Sequence, residues 1–197
     1  MKKQDIEKKS NKLLEDYFDY KKESLTTPVP TIDILEYLGY DIDFRSDGIY
    51  KNNDILGGVI PNDKRVELNE SLTSNEGRLN FTIAHEIGHI ILHVSNEDSA
   101  LFFRKDSNCK EDSKIDDNKR KLIENEADQF AAYLLMPSVI INESFFKLYN
   151  KPVNVAKFSF INFILRKSKL QKAFLIARKI SETGNFNNVS KTAILNR

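Results

Sequence analysis

The chain has 197 residues, of which 40% are hydrophobic and 30% are charged. This is the composition of a soluble globular protein with one substantial domain, with or without a small appendage. A net charge of +1 indicates no polyanionic partner for the chain as a whole, and a single cysteine, Cys109, excludes an internal disulfide. The first residues are charged, and no apolar run approaches the roughly 20 residues of a membrane span. We therefore expect a cytoplasmic protein with no membrane partner.

The first 70 residues have apolar patterns that predict two helices followed by three strands. The expected helices are 5–22 and 32–38, and the expected strands are 40–44, 55–60 and 65–69. The last two strands flank a Pro-Asn-Asp-Lys turn and form a predicted hairpin. Gly57 and Gly58 within it indicate a bulge or a close approach of another backbone.

The second part of the chain is predicted to be mostly helical. Thr73-Ser74-Asn75-Glu76 has the pattern of a capping box, which would begin a helix that is apolar on most sides. A long polar loop is expected over 95–118. Three further helices are expected from the apolar spacing: 119–136, 138–149 and 155–180.

The buried helix carries the motif His85-Glu86-Ile87-Gly88-His89. Side chains four residues apart share one face of a helix, so His85 and His89 can bind a single metal ion. Glu86 lies beside them and can accept a proton from the attacking water without being a ligand itself. This H-E-x-x-H pattern is typical of zinc peptidases.

A catalytic zinc site usually has a third protein ligand. His93 is near, but it lies about 12 Å along a straight helix from His85, so we expect it to pack beside the site instead. Glu124 borders the apolar face of the next helix, where a carboxylate is costly unless it is paired or binds metal. Asp128, one turn later, can orient a ligand histidine. The alternative is that these acids form a solvated edge of the helix.

Two segments carry a family resemblance. Residues 81–93 read FTIAHEIGHIILH, and residues 124–137 read ENEADQFAAYLLMP. They resemble the ImmA/IrrE family of metallo-endopeptidases, whose members read F-T-x-A-H-E-x-G-H followed by E-x-E-A-N/D-x-F-A-x-x-L-L-M-P. The layout of the preceding elements also fits, so the resemblance covers about residues 28–137. His89 and Glu124 are 35 positions apart, longer than usual for the family, which indicates an insertion in 95–118.

The pattern and the resemblance together predict an α+β, gluzincin-like fold. It is a minimal zincin-like metallopeptidase domain, residues 1–145, with a small antiparallel sheet packed on the active-site helices. A basic helical extension, 146–197, follows.

The resemblance also implies the roles of residues. His85, His89 and Glu124 would bind the metal, and Glu86 would be the catalytic base. Zinc is preferred from the ligand types, with manganese or iron as alternatives. Tyr133 and His93 are candidate donors to the oxyanion that forms during hydrolysis.

The resemblance implies a protein substrate, because family members act on helix-turn-helix transcriptional repressors and relieve repression. Residues 144–181 offer an alternative, since they contain nine basic residues and no acidic residue. That segment is either a solvated face or a surface for an acidic partner or nucleic acid. The second hypothesis is therefore a non-proteolytic regulator that binds a partner protein or DNA. The third is a toxin-like hydrolase of another specificity.

Overall fold

The computed structural model describes residues 1–94, 102–105, 117–149 and 169–186, together with residues 189 and 193. Six α-helices and four strands lie in these ranges, which confirms the α+β class. The helices are α1 Lys3–Lys21, α2 Thr31–Tyr37, α3 Glu76–Leu92, α4 Asp117–Leu135, α5 Ser138–Leu148 and α6 Lys169–Thr183. The strands are β1 Asp41–Arg45, β2 Ile55–Ile60, β3 Arg65–Asn69 and β4 Phe102–Lys105.

The four strands form one sheet in the order β1-β3-β2-β4. The β2–β3 hairpin is antiparallel, as predicted, but β1 runs parallel to β3. The expectation of a purely antiparallel sheet is therefore wrong. β1 and β3 become parallel neighbours because the connection from β1 to β2 leaves one strand position between them, and β3 fills that position. The side-chain amide of Asn69 holds this connection by donating to the carbonyl oxygens of Tyr50, Asn52 and Ile55 at 2.9 to 3.3 Å.

The sheet gains its fourth strand from the segment expected to be a loop. β4 pairs antiparallel with β2, so the prediction of a continuous loop over 95–118 is wrong in its middle. The register shifts between Ile55 and Gly57, which is the irregularity that the glycine pair indicated. A Cβ atom at Gly57 would lie 3.1 Å from Cγ2 of Thr82 on α3, so this strand also approaches the helix closely.

Helix α3 begins two residues later than the predicted capping box implies, at Glu76 and not at Ser74. The capping side chain is Asn75, whose Oδ1 accepts a hydrogen bond from the backbone N–H of Arg78 at 3.0 Å. Thr73 instead donates to the carbonyl oxygen of Glu70 within a preceding 3₁₀ turn, Glu70–Ser74. The cap therefore uses the asparagine because the threonine is already part of another turn.

Helices α3 and α4 pack against each other and carry the candidate site. Gly88 is a point of close approach, since a Cβ atom there would lie 3.1 Å from both Cα and the carbonyl oxygen of Ala127. Ile87 of α3 and Phe130 of α4 are buried in the core. A glycine facing an alanine thus allows the two helices to approach closely enough for their polar side chains to meet.

The C-terminal helix contributes to the same hydrophobic core. Ala177, Ile180 and Phe186 are buried together with residues of α1, α3 and α4. Part of the expected helix 155–180 lies outside the described residues, and its described portion begins at Lys169. The division into a 1–145 domain and a 146–197 extension stays a prediction. Among the described helices, none has the length and apolar character needed to cross a bilayer.

Candidate metal centre

Three side chains from α3 and α4 converge at one point. The Nε2 atoms of His85 and His89 lie 2.9 Å apart. The carboxylate of Glu124 faces both, with Oε2 at 3.3 Å from Nε2 of His85 and Oε1 at 3.6 Å from Nε2 of His89. The structure therefore brings together the three residues that the sequence singled out as candidate ligands.

The burial of the cluster is uneven. His85 and His89 are buried, while the Glu124 side chain is 31% exposed. Glu86 is completely buried on α3, between the two histidines in sequence. The exposed edge of the cluster is thus formed by α4, and the candidate base lies on the inner side.

Asp128 lies one helical turn beyond Glu124 and reaches the first histidine. Its Oδ1 is 2.9 Å from Nδ1 of His85. A carboxylate at this distance favours the tautomer in which Nδ1 carries the proton, which leaves the Nε2 lone pair free to bind a metal ion. Asp128 thus lies behind a candidate ligand histidine, and its orienting role stays a prediction.

Comparison of the chain with models of known protein families found a match. The model of peptidase family M78, described as the IrrE N-terminal-like domain, matches residues 44–160, which is more than half of the chain. The chain belongs to the ImmA/IrrE family of metallopeptidases. The match includes α3, α4 and the whole candidate cluster, and it ends within the C-terminal part of the chain. No curated protein matches the chain.

Fit to a metal ion can be judged from the donor atoms. Four ligands at zinc-binding distances in a tetrahedron lie about 3.3 Å from one another. The three separations here span 2.9 to 3.6 Å around that value. Two imidazoles and one carboxylate are the ligand set of a catalytic site, because the fourth position remains for water or substrate. The residues present therefore fit a metal ion such as zinc.

His93 lies outside the cluster of three. It follows the last residue of α3, and its Nε2 is 3.9 Å from Oε2 of Glu126. Burial is the largest influence on this imidazole and lowers its pKa. His93 thus lies beside the three candidate ligands, and its predicted roles in packing or in donation to an oxyanion stay predictions.

Tyr133 does not share the face of Glu124. Nine residues separate them on α4, which corresponds to half a turn around the axis and about 13 Å along it. The tyrosine is partly buried and packs against the hydrophobic core. A packing role therefore accounts for Tyr133, and its proposed donation to an oxyanion gains no support from this position.

One residue near the base carries no sequence signal. Tyr50 belongs to the 3₁₀ turn Gly48–Lys51 and is buried. Its pKa is raised, first by burial and then by the negative charges of Glu67 and Glu86. Tyr50 lies in a polar connecting segment without periodic apolar spacing. Only the folded chain shows that the charge of the candidate base acts on its hydroxyl.

Proposed function

We propose that this member of the ImmA/IrrE family is a zinc-dependent endopeptidase that hydrolyses a peptide bond in a protein substrate. One observation carries the proposal: His85, His89 and Glu124 converge with metal-ligand spacing, and Glu86 lies on the same helix as the two histidines. A site that only stabilised the fold would not need the glutamate.

Each residue then has a defined role. His85, His89 and Glu124 would hold the metal, which when bound would polarise the scissile carbonyl and make the attacking water more acidic. Glu86 accepts the proton from that water and passes it to the leaving amine. Asp128 keeps the proton on Nδ1 of His85 and so maintains its orientation. Burial of Glu86 keeps bulk water away from the carboxylate.

The proposed substrate is a helix-turn-helix transcriptional repressor, whose cleavage relieves repression. The support is membership of the ImmA/IrrE family, because its members act on such repressors. The geometry of the site supports the type of reaction but does not indicate which peptide sequence is cleaved. The proposal of a repressor substrate therefore rests on family membership alone.

The second candidate is a regulator that binds a partner protein or DNA without cleaving it. In its favour is the run of basic residues over 144–181 without an acidic one. Within the described part of that run, Arg178 is paired with Glu182 on α6 through a 2.8 Å contact. Peptide hydrolysis accounts for both Glu86 and the cluster of candidate ligands, so the peptidase is the function that we propose.

Metal analysis and a cleavage assay test the proposal together. The purified protein should contain about one zinc per chain, and Glu124→Ala should lose most of it. Incubation with a helix-turn-helix repressor from the same genome should produce two defined fragments. A chelator should stop the cleavage, and added zinc should restore it. Intact repressor that shifts on a native gel with the zinc-loaded protein would support the binding alternative.

A further inference from the structure

The hydroxyl of Thr82 is a buried polar group without an evident role in folding. The side chain is 1% exposed, and its Oγ1 makes no hydrogen bond within the described part of the chain. Threonine in a helix usually satisfies its hydroxyl with the carbonyl oxygen one turn earlier. A buried donor without an acceptor destabilises the folded state, so its presence calls for an explanation.

Thr82 lies one turn before Glu86 on the same face of α3. Residues four apart on a helix are neighbours, and helical side chains lean toward the N-terminus. The Glu86 side chain therefore extends over the turn that carries Thr82. Both side chains are buried, so neither can be satisfied by bulk water.

The two branches of the threonine have separable roles. A Cβ atom at Gly57 would lie 3.1 Å from Cγ2 of Thr82, so the methyl group fills the space beneath β2. Valine would keep this methyl contact and lose the hydroxyl, and serine would do the reverse. The chain thus offers a matched pair of substitutions that distinguishes packing from hydrogen bonding.

We propose that Thr82 is a positioning residue for Glu86: its hydroxyl donates a hydrogen bond to one carboxylate oxygen in the metal-loaded protein. That bond holds the carboxylate in one orientation, with its other oxygen directed at the attacking water. The role in catalysis rests on the proposed peptidase function, whereas the contact between the two side chains does not.

The activity test compares Thr82→Val and Thr82→Ser in zinc-loaded protein. Loss of the hydroxyl should lower kcat by about 10- to 100-fold, because small errors in the placement of a reacting group are costly. KM and the zinc content should stay close to those of the wild type. Serine should restore most of kcat although it removes the methyl contact. A valine variant with full kcat, or a serine variant as impaired as valine, would overturn the positioning role.

A melting experiment tests the contact without any turnover. Thr82→Val is introduced into the zinc-loaded wild type and into Glu86→Leu, which lacks the acceptor. In the wild type the substitution should lower the melting temperature by about 3 °C or more, since a hydrogen bond to a carboxylate is lost. In Glu86→Leu it should raise the melting temperature, because valine replaces a hydroxyl with no partner.

The sign of the two shifts separates the possible failures. Equal shifts in both backgrounds would show that the two side chains do not interact, and would refute the proposal whether or not the protein is a peptidase. Opposite shifts in a protein that cleaves nothing would leave the contact established and refute the peptidase function.

Discussion

The carboxylate of Asp128 lies 2.9 Å from Nδ1 of His85, on the side of the imidazole ring opposite the Nε2 atom that faces Glu124. Asp128 is 48% exposed, whereas the histidine is buried. The aspartate therefore links a buried candidate ligand to the surface of α4. Since both Asp128 and Glu124 belong to α4, this helix carries a candidate ligand and also the acid that contacts another candidate ligand.

Removing this orienting acid should weaken metal binding. We expect Asp128→Ala to raise the zinc dissociation constant by about 10- to 100-fold, as is usual for groups that orient a ligand histidine. Competition with a chromophoric chelator measures the constant. Asn125→Ala is the matched control, because Asn125 is an exposed polar residue on the same helix. Equal affinities for the two variants would remove Asp128 from the site.

Gly88→Ala should separate the two site helices. The added Cβ would meet backbone atoms of Ala127 at 3.1 Å, so the clash cannot be relieved by a change of side-chain rotamer. Overpacking of this kind costs about 1–3 kcal/mol of stability, and the zinc affinity should fall with it. Thermal melts and chelator competition report the two effects. The double variant Gly88→Ala with Ala127→Gly should recover neither property, and a full recovery would contradict the backbone contact.

His93 should be dispensable for metal binding. Its Nε2 lies 3.9 Å from Oε2 of Glu126, and it lies outside the group formed by the two other histidines and Glu124. We expect His93→Gln to keep about one zinc per chain, while His89→Gln loses most of it. Elemental analysis after dialysis measures both. Loss of zinc from His93→Gln would contradict this prediction and would indicate that His93 is a metal ligand.

Tyr50 should make the stability of the fold depend on pH only in alkaline solution. Burial and the charges of Glu67 and Glu86 raise its pKa above the unfolded value of about 10. The neutral phenol therefore contributes stability that is fully present below about pH 10 and is lost as the pH rises toward the folded pKa. Tyr50→Phe should make denaturation midpoints fall less steeply above pH 10. The exposed Tyr20→Phe is the control and should leave the slope unchanged.

The sequence predicts the hairpin and the two site helices well, because each is determined locally. Both hairpin strands end where the turn residues place them, and α3 and α4 follow the apolar periodicity of their own residues. The convergence of His85, His89 and Glu124 is foreseeable for the same reason, since one face of each helix is specified by spacing.

The remaining features depend on contacts between distant segments. Alternation in 41–45 indicates a strand, but not that its neighbour would be β3 in parallel, nor that Phe44 would be 41% exposed. β4 lies in an otherwise polar segment, where Phe102 and Phe103 form too short an apolar run to indicate pairing with β2. The raised pKa of Tyr50 and the unsatisfied hydroxyl of Thr82 cannot be predicted from the sequence, because both arise only when β2, β3 and α3 pack together.

The central claim is that Glu86 performs the proton transfers at a zinc site built from α3 and α4. Its most direct test compares wild type and Glu86→Gln at equal, measured zinc content, with a helix-turn-helix repressor from the same genome as substrate. The account predicts that the variant binds zinc as the wild type does and cleaves at least about 1,000-fold more slowly, within the range that such groups contribute. Undiminished cleavage by zinc-loaded Glu86→Gln would contradict it.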